Sequence, residues 1–323
     1  MEQQDILSMT LPELQAAVQE LSEPKFRAKQ IFNWLHQKRV TDFSEMTTLS
    51  LPFRERLASD FCINRLKIAK RLASSVDDTV KYLYELPDGN YVETVCMQYH
   101  HGTSLCISTQ VGCRMGCRFC ASAIAGFVRN LTPAEMLLQI YETERAQNCK
   151  ISSLVLMGIG EPLDNFDNVL RFLQLLSDPN GYGMSLRHVT VSTCGVVPKI
   201  LELAEQRLGL TLSVSLHCPN DAGRSAIMPI NRSYPIDVLL DACQTYFEKT
   251  GRRVTFEYAV MEQVNSAEQD AAALAERLKG LHAHVNLIPI NPVKERNFHT
   301  LKKTVLQFQK TLERYGIPAT IRR

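Results

Sequence analysis

Residues 111–127 read VGCRMGCRFCASAIAGF and contain three closely spaced cysteines, Cys113, Cys117 and Cys120. Three thiolates on one short loop suit three irons of a cubane cluster and leave the fourth iron without a protein ligand. A structural zinc site requires four ligands, usually from two paired motifs, and the chain has no second CxxC. The loop therefore predicts a [4Fe-4S] cluster whose open iron binds and reduces a small molecule; three free loop cysteines are the alternative.

The composition is that of an ordinary globular protein. The chain has 323 residues, enough for one large domain or two unequal ones, and its formal net charge of +2 does not by itself indicate a nucleic-acid binder. The sequence contains no apolar run long enough to cross a bilayer, and its first residues, MEQQDILSMT, lack the features of a signal peptide. We therefore expect reduced cysteines, a cytoplasmic location and no membrane partner.

The first sixty residues carry apolar side chains at helical spacing. Leu11, Leu14, Val18 and Leu21 recur on one helix face, and a second pattern of this kind follows Pro24. The pattern predicts a small helical head. Helical modules of this size often bind nucleic acid, but packing alone explains their apolar positions equally well, so both interpretations remain open.

From Lys67 the apolar period changes to two. This alternation predicts three strands, at 67–74, 79–86 and 90–99. Asp88-Gly89 is a typical hairpin turn between the last two strands. The three strands form a ribbon between the helical head and the rest of the chain.

After Ser104, short apolar runs alternate with longer amphipathic ones. The short runs predict strands at 104–109, 153–157, 188–192, 210–216, 253–260 and 284–290. The longer runs predict helices near 133–147, 166–177, 197–206, 236–249, 267–279 and 301–314. Successive strand–helix units imply parallel strands, and six units are too few for a closed eight-fold barrel. We predict an α/β fold with a partial (β/α)6 parallel barrel at 101–323, preceded by a helical accessory domain at 1–62 and a β-hairpin linker at 63–100.

Unusual residues follow the predicted strands, at the rim where the carboxyl ends of parallel strands meet. After the cysteine loop come MGIGEPLDN (157–165), STCG (192–195), SLHCPND (215–221) and PINP (289–292). Gly160 allows the backbone to approach a ligand closely, and Glu161 provides a carboxylate that can accept hydrogen bonds from an ammonium group. Three basic residues surround the cysteine loop and could hold phosphates of a large substrate: Arg114, Arg118 and Arg129.

Together these motifs resemble those of the radical S-adenosylmethionine (SAM) enzymes, and in particular the RlmN/Cfr family of RNA methyltransferases. The resemblance runs from about Phe26 to the C-terminus. It rests on FRAKQIFNWLHQK (26–38), LPDGNYVETV (86–95), the cysteine loop, MGIGEPLDN, STCGVVPKI (192–200), SLHCPND, MPIN (228–231) and VNLIPINP (285–292). The motifs SLH-x-P-N-D and FRAKQI look specific to this family within the superfamily.

The resemblance implies a cofactor, a substrate and a set of binding residues. The open iron would chelate the amino and carboxylate groups of S-adenosylmethionine, whose reductive cleavage yields a 5′-deoxyadenosyl radical. Gly160 and Glu161 would contact the amino group, and the rest of the cofactor would bind at Ser192, Ser215, Leu216, His217 and Asn291. The acceptor would be an adenine carbon, C2 in preference to C8, in structured ribosomal or transfer RNA. An electron donor such as flavodoxin and a monomeric enzyme are also implied.

The family mechanism uses two further cysteines and a base. A C-terminal cysteine carries the methyl group, and a second cysteine then resolves the protein–RNA crosslink by forming a disulfide. Cys106 matches the resolving cysteine, and Glu93 matches the glutamate that accepts a proton. Without the family context, a buried strand thiol and an exposed strand carboxylate are the simpler interpretations.

The sequence departs from the family at the methyl-carrying residue. The ten cysteines end at Cys243, whereas the family carries this cysteine beyond the segment that matches GIPATIRR (316–323). Three hypotheses follow. The first is an RNA methyltransferase whose printed sequence lacks the terminal segment. The second is a paralogue with altered chemistry or substrate, and the third is a noncatalytic RNA-binding relative.

Overall fold

The computed structural model describes residues 3–291, 293 and 295–322. The strands are β1 Gln4–Asp5, β2 Phe61–Cys62, β3 Lys67–Ala73, β4 Val80–Glu85, β5 Tyr91–Tyr99, β6 Gly102–Cys106, β7 Gln110–Gly112, β8 Phe127–Asn130, β9 Ile151–Leu156, β10 Val189–Thr193, β11 Thr211–Ser215, β12 Val254–Val260, β13 Ala283–Pro289 and β14 Ala319–Ile321. The α-helices are α1 Leu11–Glu20, α2 Phe26–His36, α3 Leu51–Asp60, α4 Pro133–Gln147, α5 Phe166–Ser177, α6 Val197–Glu205, α7 Asp221–Ile227, α8 Ile236–Thr250, α9 Glu268–Leu278 and α10 Lys302–Arg314.

The chain divides into two compact units. The first unit consists of Met1–Val111, Arg129–Ile159 and Asn165–His188, and the second of Gly112–Val128, Gly160–Asp164 and Val189–Arg323. No α-helix in the described part of the chain is long and apolar enough to cross a membrane.

Helices α1 to α3 form the head of the first unit. Thr10 caps α1 in a capping box with Glu13, and the buried face of α1 carries Leu14 and Val18, as the helical spacing predicts. Helix α2 buries Phe32 and Leu35. The predicted helical head is present in the structure.

The first unit contains strands in the order β9-β6-β5-β4-β3. Strands β3, β4, β5 and β6 pair antiparallel in succession, and β6 pairs parallel to β9. The three ribbon strands occur where the period of two predicts them. The ribbon is continuous with the sheet of this unit, because β5 pairs directly with β6.

All strands of the second unit's sheet are parallel, in the order β14-β13-β12-β11-β10. Helices follow the strands from β10 to β13, and α4 and α5 follow β6 and β9 in the first unit. The predicted α/β fold class, with a core of parallel strand–helix units, is confirmed. Six short elements were not predicted: the seven-residue helix α7 and strands β1, β2, β7, β8 and β14.

The two faces of the second sheet differ in polarity. One face carries Val254, Phe256 and Tyr258 of β12, and Phe308 of α10 packs on Tyr258 with ring centroids 4.8 Å apart. Glu257 lies on the opposite face, in register with Ser215 of β11 and Asn286 of β13. The apolar face therefore packs against helices, and the other face carries hydroxyl, amide and carboxylate groups.

Candidate cluster and cofactor site

The cysteine loop is closed by backbone hydrogen bonds. Cys113 N–H donates to the carbonyl of Gly126 at 2.8 Å, and Cys120 N–H donates to that of Cys117 at 3.2 Å. Gly112 lies at the base of the loop with φ +73°, and a Cβ atom there would be 1.8 Å from the Gly126 oxygen. Only glycine fits this position, so the sequence VGC fixes the entry to the loop.

All three loop cysteines belong to the second unit and are half-buried. Burial and the neighbouring thiols raise the pKa of Cys117 to about 12, and burial raises the pKa of Cys113 to about 11. No three His, Cys, Asp or Glu side chains of the described residues converge as ligands of a single metal ion do. A cubane does not require such convergence, because each thiolate binds a different iron atom.

Glu161 is a buried carboxylate held by backbone donors. Its Oε2 accepts the N–H of Cys194 at 2.7 Å, and its Oε1 accepts the N–H of Leu163 at 3.0 Å. Gly160 precedes it with φ +110°. Burial raises the pKa of Glu161, so a cationic ligand group nearby would favour its ionised form. This arrangement suits the predicted contact with an ammonium group.

Ser192 and Ser215 lie near the carboxyl ends of β10 and β11. Ser192 is in register with Ser213, and Ser215 is in register with Glu257, so all four side chains share the polar face of the sheet. Glu257 Oε1 accepts hydrogen bonds from Ser213 Oγ at 2.6 Å and from Asn286 Nδ2 at 2.9 Å. Sequence analysis missed Glu257, although a lone acidic residue inside the apolar run RVTFEYAV is a detectable signal.

His217 follows β11 in a left-handed backbone conformation, with φ +57°. Its Nδ1 accepts the N–H of Ala259 at 2.9 Å, which places the ring proton on Nε2. Burial lowers the pKa of His217 to about 3, and Phe119 of the cysteine loop packs edge-on against its ring at 4.8 Å. His217 is thus a neutral, fixed imidazole beside the cysteine loop.

Asn265 is a second residue that sequence analysis missed. Its Nδ2 donates to the carbonyls of His217 and Ala259 at 2.6 and 2.7 Å, and its Oδ1 accepts the N–H of Met261 at 2.7 Å. These three bonds fix the conformation around His217. Asn291, by contrast, is exposed after β13. Pro292, the last residue of the PINP motif, lies outside the described residues.

Glu93 and Cys106 lie in the first unit on neighbouring antiparallel strands. Val95 of β5 pairs with Cys106 of β6, and Glu93 is two residues from Val95, so both predicted catalytic side chains share one face. The other face of β5 packs against α4, where Thr94 Oγ1 donates to Gln139 at 2.8 Å. Glu93 forms an ion pair with Lys81 of β4 at 2.7 Å.

Two of the three basic residues near the cysteine loop form ion pairs. Arg129 is paired with Asp88 at 2.6 Å and Glu135 at 2.7 Å, and its phosphate site stays a prediction. Arg114 is likewise paired with Asp164 at 2.8 Å. None of the ten cysteines, which all lie within the described residues, forms a disulfide, so the disulfide expected from the mechanism is not a bond of this structure.

Two family models match the chain. Residues 4–63 match the model of the ribosomal RNA large subunit methyltransferase N-terminal domain, and residues 107–275 match the radical SAM superfamily. A protein of Lachnoclostridium phytofermentans named "Probable dual-specificity RNA methyltransferase RlmN" is 50% identical over 99% of this chain and 90% of its own length. Its namesake from Clostridium novyi is 47% identical over 99% of this chain and 93% of its own length.

The solved structures include a similar fold. A radical SAM methyltransferase from Sphaerobacter thermophilus superposes with a TM-score of 0.94 at 39% identity, over 99% of this chain and 95% of that chain.

Proposed function

Because the chain belongs to the RlmN family of radical SAM RNA methyltransferases, we propose that it methylates C2 of an adenine in ribosomal RNA, transfer RNA or both. The main support is that the residues proposed to hold the cluster and the cofactor lie in one compact unit. The second unit contains the three-cysteine loop, Glu161 and the strand ends with Ser192, Ser215 and His217. A cluster loop and a polar cofactor-binding surface therefore belong to the same folded body.

We propose that Cys113, Cys117 and Cys120 hold one [4Fe-4S] cluster per chain. When bound, the cluster and S-adenosylmethionine supply reductive cleavage of the sulfonium. Glu161 and the backbone at Gly160 would orient the amino group of the cofactor. The remaining contacts would come from Ser192, Ser215, Leu216, His217 and Asn291. The fixed carboxylate of Glu161 supports this assignment, because two backbone N–H groups already set its orientation.

For the methyl transfer, we propose that Glu93 accepts the proton lost from the adenine. We propose that Cys106 is the resolving thiol, which forms its disulfide with the methyl-carrying cysteine that the family has beyond the segment matching residues 316–323. The shared face of Glu93 and Cys106 on β5 and β6 supports this pairing. The Glu93 carboxylate forms an ion pair with Lys81 of the neighbouring strand β4. An electron donor of the flavodoxin class, a monomeric enzyme and a cytoplasmic location complete the proposal. The cysteines of the described residues form no disulfide, which is consistent with a reducing compartment.

We also propose that the three-part division into 1–62, 63–100 and 101–323 is functional, with the helical head contributing to RNA binding. A cleft of about 640 Å³ lies in the first unit. Five basic residues line it: Lys38, Arg39, Arg65, Arg145 and Lys150. Arg39 is paired with Glu144, and Arg145 and Arg65 share Glu142, which leaves Lys38 and Lys150 as the cations best placed for phosphates.

The proposed reaction separates into two measurable steps. The protein is reconstituted with iron and sulfide without oxygen, reduced, and assayed for 5′-deoxyadenosine; ribosomal and transfer RNA are then added and their nucleosides analysed by mass spectrometry. We expect residues 1–323 to form 5′-deoxyadenosine, and we expect 2-methyladenosine when these residues are followed by the family's segment with the methyl-carrying cysteine. An intact cluster that never cleaves S-adenosylmethionine would refute the enzymatic proposal. Cleavage with 8-methyladenosine, or with no methyladenosine from the longer chain, would refute the C2 assignment.

The cluster ligands are tested by a matched pair of cysteine variants. Cys117→Ala should lose the brown absorbance of the cluster, because only two loop thiolates remain. Cys62→Ala removes a cysteine of the first unit and should retain the cluster. A full cluster in the Cys117→Ala protein would contradict the ligand assignment.

RNA binding by the head has an internal reporter, since Trp34 is the single tryptophan of the chain. Lys38 Nζ lies 3.4 Å from the centroid of its ring, so binding of a phosphate by Lys38 should change the indole emission. Lys38→Ala together with Lys150→Ala should weaken RNA binding and reduce its dependence on salt. The exposed Lys279, on the other unit, provides the control as Lys279→Ala. Equal salt dependence in all proteins would refute a role of this cleft.

A further inference from the structure

Arg224 is a fully buried arginine in the middle of the second unit. It lies on α7, the short helix that follows His217, and Asn220 caps this helix by accepting the N–H of Gly223 at 2.8 Å. Charged side chains are rarely this buried unless their hydrogen bonds are satisfied. The hydrogen-bond acceptors of its guanidinium group therefore indicate which segments Arg224 holds in place.

All four hydrogen bonds from Arg224 go to uncharged acceptors. Nη2 donates to the carbonyls of Cys194 at 2.7 Å and Ser215 at 3.0 Å. Nε donates to the carbonyl of Leu216 at 3.1 Å, and Nη1 donates to Asn231 Oδ1 at 2.9 Å. One planar group thus joins the segment after β10 to the end of β11. The proposed cofactor-binding residues Ser215 and Leu216 are held through their own backbone carbonyls.

The other end of α7 reaches the cysteine loop. The carbonyl of Ile227, the last residue of α7, accepts the N–H of Arg118 at 2.9 Å. Ile227 and Met228 also belong to an apolar cluster on which Cys117 and Phe119 pack. Helix α7 therefore joins the proposed cofactor-binding strand ends to the loop that carries the cluster ligands.

The space around the guanidinium is matched to it. Gly195, with φ +105°, directly follows Cys194, and a Cβ atom at this glycine would lie 3.2 Å from Arg224 Nη2 and 3.1 Å from the methyl groups of Leu239. A larger residue would have to displace one of these groups. The glycine in STCG thus leaves room for the arginine.

The charge of Arg224 has no carboxylate in salt-bridge contact among the described residues. Burial lowers the pKa of Arg224, and negative charge at the nearby Cys194, Cys117, Cys218 or Asp221 opposes this shift. A buried cation without a counter-ion is costly in free energy. A cluster held by three thiolates is anionic and becomes more so on reduction, which makes it a suitable counter-charge.

We propose that Arg224 is a positioning residue that aligns the ends of β10 and β11 for S-adenosylmethionine and places a permanent positive charge beside the cluster. This inference rests on the proposed function of the site. It predicts two separable effects. The hydrogen bonds of the planar guanidinium group affect the affinity for the cofactor, and its positive charge affects the reduction potential of the cluster. Lysine retains the charge but not the planar set of donors, whereas glutamine retains neither.

The test compares Arg224→Lys and Arg224→Gln with Arg232→Gln, which removes an exposed arginine eight residues further along. After anaerobic reconstitution, iron content, affinity for S-adenosylmethionine and the midpoint potential of the cluster are measured. We expect both Arg224 variants to bind S-adenosylmethionine at least about tenfold more weakly. The potential should fall in Arg224→Gln and stay near the parental value in Arg224→Lys. Parental affinity and potential in both variants would overturn the proposal.

A further variant covers the case in which both Arg224 substitutions prevent folding. Gly195→Ala retains the arginine but crowds Nη2, so it should weaken cofactor binding while the potential stays unchanged. Parental affinity in that variant would also overturn the proposal. If the parental protein itself binds no cluster or cofactor, the proposed function has failed, and this result is distinct from a failure of the role of Arg224.

Discussion

Gly112 and Gly126 allow a controlled test of how the cysteine loop is built. Both have left-handed backbone conformations, with φ of +73° and +74°. An alanine at either position therefore costs about 1–2 kcal/mol of backbone strain. The two differ in their surroundings: a Cβ atom at Gly126 meets no atom within 4 Å, whereas a Cβ atom at Gly112 would lie 1.8 Å from the Gly126 carbonyl oxygen.

In Gly112→Ala, the oxygen must move away by about 1.2 Å to reach the 3.0 Å that real contacts allow. The same oxygen accepts the N–H of Cys113, so the movement also breaks that 2.8 Å bond, which contributes about 1 kcal/mol. With the added displacement of the loop, we expect Gly112→Ala to disfavour the ligand geometry by at least about 2 kcal/mol more than Gly126→Ala. This difference lowers the population of competent loops by more than about tenfold.

The assay is iron content and visible absorbance after anaerobic reconstitution, followed by the rate at which a chelator removes the iron. Circular dichroism establishes that both variants are folded. Gly126→Ala should retain most of its cluster, whereas Gly112→Ala should retain little and lose it rapidly. Equal iron content and equal loss rates would refute the claim that the Gly112–Gly126 contact sets the geometry of the ligands.

Three further predictions concern buried polar groups. Burial lowers the pKa of His36 from 6.5 to about 4, so the unfolded chain takes up a proton below pH 6.5 that the folded chain refuses until about pH 4. The free energy of unfolding therefore decreases as the pH is lowered from 6.5 to 4. In urea titrations, His36→Asn should show a decrease between pH 7 and pH 5 that is about 2 kcal/mol smaller than that of the parental protein. An equal decrease in both proteins would contradict this prediction. Gln139→Leu leaves buried polar groups of Ser108 and Thr94 without a hydrogen-bond partner, so it should lower the free energy of unfolding by at least about 3 kcal/mol. A decrease within about 0.5 kcal/mol, as expected for an exposed residue, would show that these hydrogen bonds contribute little. Asn265→Asp keeps the shape but places an oxygen against two carbonyls, so thermal stability and binding of S-adenosylmethionine should both decrease, and unchanged values of both would refute the role of Asn265.

The fold could be predicted from the sequence, and the cysteine loop could be located in it, because their signals are local. The spacing of Cys113, Cys117 and Cys120 is contained in eight residues, and the alternation of short apolar runs with amphipathic ones follows directly from strand and helix geometry. The period of two likewise located the ribbon strands. Glycine at position 112 was visible as part of the motif, but the reason for it, a contact with Gly126, was not.

The residues that sequence analysis missed act through contacts between distant segments. Arg224 and Asn265 are single polar residues without a repeating pattern, and their partners lie up to 48 positions away. Helix α7 has only seven residues and contains a glycine, so no helical period develops. The ion pair between Arg129 and Asp88 was not predicted for the same reason, because the two residues lie 41 positions apart in the sequence.

The polar face of the second sheet has a calorimetric consequence. Its groups are joined in a ladder in which Glu257 accepts from Ser213 and Asn286, and Thr320 donates to Asn286. Dehydration of polar surface changes the heat capacity in the opposite sense to dehydration of apolar surface. A ligand that binds against hydroxyl and amide groups should therefore associate with little change in heat capacity, even where it buries a large area. Unfolding, which exposes the apolar face as well, should show the usual large increase.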